Sequence, residues 1–507
     1  MRKYIMLVCL FALGLFASAQ SEFDALRYSQ SDIIGTARYV SMSGAFGALG
    51  GDMSAINVNP AGIGVYRSSE FSLSPGFELD ATKTNLDGTK ATANKTNLLM
   101  NGFGYVGSFR TYDESAISNF NFGISYNRLA DFNRNTRVKG TGRTTSLIKE
   151  TSFMENWLLA DGSPNTTSFW DFMNMSNSGI KVLDETNTGY FSKVADNELS
   201  NSDMLMEESG GINSWNFTLG ANYNHTLYVG LGIGIQSVKY DKYSSYIEDF
   251  TADKGIELRN VLTTTGSGYN FSAGVIYRPV PELRVGLSYK SGTYYMLTDV
   301  FSASMASWGF TNPITGLPYT SNQTHEGGEH YVDYMLKTPG LWTLSAAYQF
   351  GKRGLFSFDM DYKDNSSIVV KDNLGYELDY INVKIKDHFA GSLNFRVGGE
   401  LRLTDNFSAR LGAAYYLTPI ASNLGDKYIY TSYTRVDYSI PVSTSFASAG
   451  LGYRSGAFFT DIAVQEKWTN EHFFNYYDDI SIAASEPTYA NLTSNRFNMV
   501  LTTGFKF

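Results

Sequence analysis

Residues 31–65 read SDIIGTARYVSMSGAFGALGGDMSAINVNPAGIGV, and the meaning of this stretch decides the fold. Gly35, Gly44, Gly47, Gly50, Gly51, Gly62 and Gly64 punctuate it, Asn59-Pro60 interrupts it, and Arg38 and Asp52 stand in it as isolated charges. Glycine permits close backbone approach and positive φ, and a residue before proline is biased toward extended or turn backbone. The stretch has neither the period of two that marks a half-buried strand nor the 3.6-residue period of an amphipathic helix. It is therefore expected to fold compactly inside a larger enclosure, as a plug in the bore of a β-barrel.

Downstream the sequence supplies the barrel. Phe120, Phe122, Ile124 and Tyr126 alternate with polar or small residues, as do Trp215, Phe217, Leu219, Ala221 and Tyr223. Leu227, Val229, Leu231, Ile233 and Ile235 repeat the pattern, and Tyr269, Phe271, Ala273, Val275 and Tyr277 repeat it again. Period two places such side chains on one face of a strand. Counting these segments predicts about fourteen strands, starting near residues 69, 98, 119, 213, 226, 267, 283, 331, 354, 388, 406, 440, 457 and 496.

The predicted connections alternate in length. Short links fall at 111–117, 224–225, 278–282, 351–353, 403–405 and 454–456, and between them run long links at 129–212, 241–266, 294–330, 364–387, 418–438 and 469–494. Short periplasmic turns and long extracellular loops are the habit of a transmembrane barrel, whereas a soluble sandwich has no cause to sort its loops. Opposite the apolar stripe lie charges: Asp359, Asp361 and Lys363 on one strand, Arg396, Glu400 and Arg402 on another, and Arg410 on the next. An Arg or Lys facing lipid at mid-bilayer costs on the order of 2–4 kcal/mol, so these charges are expected to face the lumen. The chain ends with Phe497, Met499, Leu501, Phe505 and Phe507 in phase. A terminal aromatic on an alternating last strand resembles the signal read by the barrel assembly machinery.

Upstream, residues 1–19 form a secretion leader: Arg2 and Lys3 begin it, Ile5 to Phe16 are its apolar stretch, and Ala17-Ser18-Ala19 is its cleavage site, with maturation at Gln20. The apolar stretch is shorter than the roughly 20 residues a spanning helix needs. The one cysteine, Cys9, falls within it. The mature chain is thus expected to hold no disulfide, no thiolate metal site and no cysteine nucleophile. The formal charge is -9, and loss of Arg2 and Lys3 makes it -9 - 2 = -11, which disfavours nucleic acid as a partner.

The run Ala37-Arg38, Met42-Ser43-Gly44-Ala45, Asp52-Met53-Ser54-Ala55 and Asn59-Pro60-Ala61-Gly62 resembles the N-terminal hatch of the FadL/TodX outer-membrane transporters of long-chain fatty acids and aromatic hydrocarbons. The resemblance implies an all-β, antiparallel transmembrane barrel of fourteen strands, with the hatch in its lumen ending at the motif Asn59, Pro60, Ala61, Gly62. The domains are then a leader (1–19), a hatch segment (20–66) and a barrel with long extracellular loops (67–507) in the outer membrane of a Gram-negative bacterium. Expected partners are outer-membrane lipid and hydrophobic small molecules such as fatty acids, hydrocarbons and other lipids. They would pass by diffusion, with no cofactor and no enzymatic step.

Candidate sites follow from residue chemistry. In the longest link, Phe153, Trp157, Leu158, Phe169, Trp170 and Phe172 form apolar clusters that either collect an apolar ligand or make a small core of the loop itself. Arg396, Arg402 and Arg410 either anchor a carboxylate or pair with Asp359, Asp361 and Glu400. His325 and His330 are five apart around Gly327-Gly328, which does not place both on one helical face, so a hydrated loop is expected rather than a metal or haem site. Gly230, Gly232 and Gly234 sit in an alternating strand and read as room for the plug rather than a nucleotide loop. No serine, histidine and acid spacing argues for catalysis. The rival functions are a non-transport surface protein such as an adhesin, a haem receptor, and a barrel lipase.

Overall fold

The alternating segments become fourteen barrel strands in a computed structural model. It describes residues 21–111, 116–149, 181–183, 190–192, 194, 198–250, 253–310, 323–326, 329–422, 437–475 and 489–507, with 181–183, 190–192 and 323–326 described by backbone alone. The leader and its cleavage site lie outside the described residues. The strands are β1 Glu70–Leu86, β2 Thr89–Arg110, β3 Ile117–Asp131, β4 Ser200–Tyr223, β5 Leu227–Phe250 and β6 Gly255–Val280. β7 comes in two parts, Leu283–Lys290 and Tyr294–Trp308, and so does β8, His330–Lys337 and Leu341–Phe350. There follow β9 Gly354–Asp364, β10 Gly391–Arg402, β11 Phe407–Leu417, β12 Tyr438–Ser455, β13 Phe458–Phe474 and β14 Ala490–Lys506. Neighbours pair antiparallel, and β14 closes on β1 from Glu70↔Lys506 to Asn85↔Asn491. Closure removes the open edges that make a sheet unfit for lipid.

The side chains sort as the period of two requires. On β5, Val229, Leu231, Ile233 and Ile235 face outward and are exposed, while on β3 Asn119, Asn121, Ser125 and Asn127 face inward and are buried. Asp359, Asp361, Lys363, Arg396 and Arg410 are likewise buried on the lumen side. Among the described residues no helix is long and apolar enough to cross a membrane, so any crossing falls to strands.

The sequence reading needs correction at the long-loop end. The expected link 241–266 is the far half of a hairpin, since β5 runs to Phe250 and β6 begins at Gly255. The 129–212 link contains a further strand, Arg134–Arg143, and the first half of β4, while 294–330 contains the second part of β7. The 364–387 link carries a helix, Asp379–His388. The apolar stripe changes face where the strands outgrow a bilayer. Val229 to Ile235 point outward, but Val238, Tyr240, Tyr246 and Phe250 point inward. At 24 residues β5 far exceeds the roughly 9–11 a spanning strand needs. Its upper half therefore buries an interior core and wets its outer face. β1 and β2 meet in a two-residue turn, Asp87-Gly88, whose φ values of 50° and 88° suit a tight hairpin.

Residues 21–66 lie within the strands. α1 (Glu22–Arg27) is capped by Ser21, whose hydroxyl accepts the Asp24 N–H, and α2 (Ala37–Ser41) is capped by Thr36. Two 3₁₀ turns, Ala55–Asn57 and Pro60–Val65, complete the segment. It touches the wall around its circumference: Asn121 of β3 donates to Ile63 O (2.6 Å), Ser288 of β7 to Val58 O (2.7 Å), and Lys363 of β9 to Ser29 O (2.8 Å). Ser43 meets Ser448 of β12 (2.7 Å), and the Ala37 N–H donates to Thr502 of β14 (2.7 Å).

Candidate functional site

The interior is built in three tiers. At the short-turn end a polar cavity of about 570 Å³ lies under the enclosed segment, lined by Arg38, Asp52, Arg284, Glu400, Arg410 and Asp461 among others. The middle tier is the segment itself. Above it is a packed apolar core in which Phe23, Leu26 and Tyr28 meet Tyr240, Leu297 and Phe389. Phe23 lies 5.9 Å from the Phe389 ring and 5.8 Å from that of Tyr438. His388, at the end of the 379–388 helix (α3), meets Glu22 of α1 at 3.0 Å, so the loop helix and the N-terminal helix are joined at the edge of this core. A second cavity of about 260 Å³ adjoins it, bounded by Asp32, Ala130, Phe132, Phe446, Lys467 and Arg496.

Asn59, Pro60, Ala61 and Gly62 dock the middle tier against β5 and β6. The Asn59 amide donates to Gly47 O (2.7 Å) and to Val275 O on β6 (3.2 Å), while its oxygen accepts the Ala61 N–H (3.0 Å). Pro60 takes the first helical position, where its missing N–H costs nothing. The wall makes room with glycine: a Cβ on Gly274 would stand 2.0 Å from Asn59 Oδ1, and one on Gly230 would stand 2.3 Å from the Pro60 carbonyl. Gly232 and Gly234 face other strands rather than the plug, so of the three glycines read as room for it only Gly230 has that role, and Gly274 has it unforeseen.

Charge is neutralised locally. Arg396 pairs with Asp361 (2.8 Å) and lies 3.5 Å from Asp359, whose Oδ2 accepts the Phe46 and Gly47 N–H groups at 3.0 and 2.9 Å. Arg410 bridges Glu400 (2.7 Å) and Asp461 (2.6 Å), and Glu400 also binds Arg38 of α2 (2.9 Å). Arg402 is half exposed at the short-turn rim, 3.4 Å from Asp405. The three arginines are thus spread over separate contacts, and each already has a carboxylate partner. Asp52 accepts both contacts from the Thr36 hydroxyl (2.9 and 2.8 Å) and the Ser54 N–H (2.9 Å). Burial pushes its carboxyl above the ordinary value despite Arg38 and these hydrogen bonds. Burial acts on Asp32 in the same sense, but Lys467 and Arg496 outweigh it and hold that carboxyl below the ordinary value.

Among the described residues, pairing reveals a break in the ladder between β2 and β3. β2 pairs with β3 only from Gly102↔Asn127 down to Arg110↔Asn119, whereas above Gly102 its partner is β1 alone. β3 shifts register between Arg128 and Ala130, and its extension Arg134–Arg143 pairs with β4 instead. That extension crosses the inner face of β1, where the Thr82 and Thr84 hydroxyls donate to Asn135 O and Arg137 O, both at 2.6 Å. The third strand therefore stays paired with β4 (Ala130↔Ile212, Asp131↔Gly211) but parts from the β2 ladder at 128–133. Side chains still reach across to the upper part of β2: the Asn135 amide donates to Asn94 O (3.2 Å), and the Thr89 and Thr141 hydroxyls meet at 2.6 Å. At this kink Ala130 belongs to the apolar core, and Leu129 and Phe132 pack against it.

The loop residues Phe153, Trp157, Leu158, Phe169, Trp170 and Phe172 lie outside the described residues. His330 is exposed at the start of β8, and His325 lies on a segment described by backbone alone. Among the described residues, no group of three metal-ligating side chains occurs.

The geometry defines a class: a closed fourteen-stranded antiparallel barrel that encloses its own N-terminal segment and carries an inward kink in its third strand. No protein-family model matches the sequence, and no curated protein matches it. Solved structures share the architecture. A FadL homologue of Pseudomonas aeruginosa is 15% identical, with 94% of this chain covering 100% of that one at a TM-score of 0.54. The deltaS2 mutant of the TodX monoaromatic hydrocarbon channel is 11% identical, with coverages of 93% and 99% and a TM-score of 0.52. At these identities the likeness is one of fold, and the chain has the FadL-type barrel fold.

Proposed function

We propose that this chain is an outer-membrane transporter that moves hydrophobic compounds, long-chain fatty acids, hydrocarbons or related lipophiles, by passive diffusion past a hatch formed by residues 20–66. The observation that carries this reading is the parting of β3 from β2 above Gly102 beside the cavity of about 260 Å³, which Ala130 and Phe132 at the kink line together with Leu26. An apolar solute held there has a side route toward lipid that avoids the charged lower cavity, where crossing would strip water from Arg38, Glu400 and Arg410. The exposed apolar belt supports residence in a bilayer. The proteins sharing this fold include a FadL homologue and a monoaromatic hydrocarbon channel, and the hatch resemblance points the same way.

In this reading the leader directs export, the barrel assembly machinery inserts the chain through its terminal strand, and cargo moves down its gradient without an energy source. Uptake of labelled oleate and toluene by cells with and without the gene tests the proposal. Faster uptake with the gene is expected, and equal uptake of every lipophile rejects it.

A further inference from the structure

The kink of β3 is held by the plug as well as by the wall. Resting on the transport reading above, we propose that Asp32 is the positioning residue that couples movement of the plug to the geometry of the β2–β3 break. The Asp32 N–H donates to Leu129 O at 2.8 Å, and its Oδ2 accepts the Asp131 N–H at 3.3 Å. Both contacts fall on the residues where β3 abandons β2. The other carboxylate oxygen accepts the Lys467 ammonium of β13, and Arg496 of β14 stands 3.9 Å away. Arg496 in turn donates to Asp131 O and Asn133 O, each at 3.1 Å.

At the kink β3 keeps its ladder with β4 (Ala130↔Ile212, Asp131↔Gly211), but the backbone groups on the side where it parts from β2 must find other partners. Here the plug and β14 supply them, so the inward position of the kink is conditional on the plug being seated. Withdrawal of the plug removes Asp32 and frees the Leu129 carbonyl and the Asp131 amide. The kink must then rearrange, toward water or toward the unpaired edge of β2 over Thr89–Met100. Coupling between two sites is reciprocal, so a cargo that moves the kink loosens the plug as well. The cavity of about 260 Å³ touches Asp32, Ala130, Phe132, Lys467 and Arg496 at once, which places its occupant against every part of this latch.

The test locks the plug away from the latch and reads the kink. Ser43 and Ser448 face one another, with hydroxyl oxygens 2.7 Å apart, so Ser43→Cys with Ser448→Cys ties the plug to β12 on oxidation. In the full-length protein in proteoliposomes, deuterium exchange of the peptide spanning 127–134 is compared with the lock oxidised and reduced. Oxidation is expected to slow that exchange by about fivefold, the lower end of ordinary coupling, and the effect is expected to vanish in Asp32→Ala. Should Asp32→Ala fail to assemble, Asp32→Asn serves, and there the lock effect is expected to fall below about twofold because the carboxylate that accepts the Lys467 ammonium is gone and the Asp131 N–H loses a charged acceptor. Exchange indifferent to the lock overturns the proposal, as does a lock effect of full size in the Asp32 variant. No cargo enters this measurement. A chain that shows the coupling but takes up no lipophile overturns the transport reading alone, and one that transports without the coupling overturns the role of Asp32 alone.

Discussion

Replacing Asn59 with alanine strips the plug of its best-defined attachment. Asn59 is 1% exposed, donates to Gly47 O and Val275 O, and accepts from the Ala61 N–H that opens the Pro60–Val65 turn. Loss of the cap costs about 1 kcal/mol, and orphaning the buried Gly47 carbonyl costs about 1–2 kcal/mol more. Val275 O keeps its place beside the β6 ladder and adds little. Gly47 and Ala61 both belong to the plug, so the sum, about 2–3 kcal/mol, bears on the plug's own fold rather than on the barrel, and at 1.4 kcal/mol per decade it raises the locally opened population of the plug about 30- to 150-fold. Deuterium exchange of peptides covering 44–65 reads that population, because local opening sets the rate of protected amides. Exchange there is expected to rise by this factor while ladder peptides of β12 to β14 stay unchanged. Asn59→Asp, which keeps the acceptor but loses both donations, is expected to do at least as much. Plug exchange within about threefold of the parent, or an equal rise in the barrel, refutes the reasoning.

Three further outcomes are expected. Leu231→Arg, on the outward face of β5, should cost on the order of 2–4 kcal/mol, read as a lowered urea midpoint for the reconstituted barrel. Arg410→Met leaves Glu400 and Asp461 without their shared cation and should cost about 3–5 kcal/mol. Arg402→Gln, at the half-exposed rim, should cost under about 1 kcal/mol, and the same urea titration ranks the two. Asp32 has a docked-state pKa depressed below the ordinary carboxylate value, because Lys467 and Arg496 outweigh its burial. Its contribution to docking is therefore complete above the ordinary value of roughly 4 and is lost as pH falls through the lower docked-state value. Plug exchange measured down a pH series should rise across that acid window, and Asp32→Asn should flatten the rise.

Most of the barrel was legible because lipid enforces a strict alternation. Each predicted strand falls on one of the fourteen, ten of them starting within three residues of the expected position, while those expected at 98, 213, 267 and 496 begin earlier, at Thr89, Ser200, Gly255 and Ala490. The long-loop end was not legible, because above the membrane the stripe inverts: Val238, Tyr240, Tyr246 and Phe250 carry on the alternation on the opposite face, which reads as a loss of phase. Asp87-Gly88 was a visible hairpin signal, and reading it would have given the first turn. The inward direction of Arg396 and Arg410 followed from their phase. Their partners did not: Asp461 lies on a distant strand, and Arg38, which shares Glu400 with Arg410, comes from the plug. The break between β2 and β3 was hidden for the same reason, since the residues 128–133 do not announce which neighbour β3 will abandon. Only the pairing of Arg134–Arg143 with β4, and its seat on Thr82 and Thr84, shows it.

The central claim is that lipophiles cross this barrel and that the enclosed segment controls their passage. Uptake of labelled oleate and toluene by cells carrying the Ser43→Cys, Ser448→Cys chain, before and after oxidation, measures both at once. The account expects uptake above that of cells lacking the chain while the lock is reduced, a fall to their level on oxidation, and recovery on reduction. Uptake that never exceeds that of cells without the chain, or that ignores the lock, contradicts it.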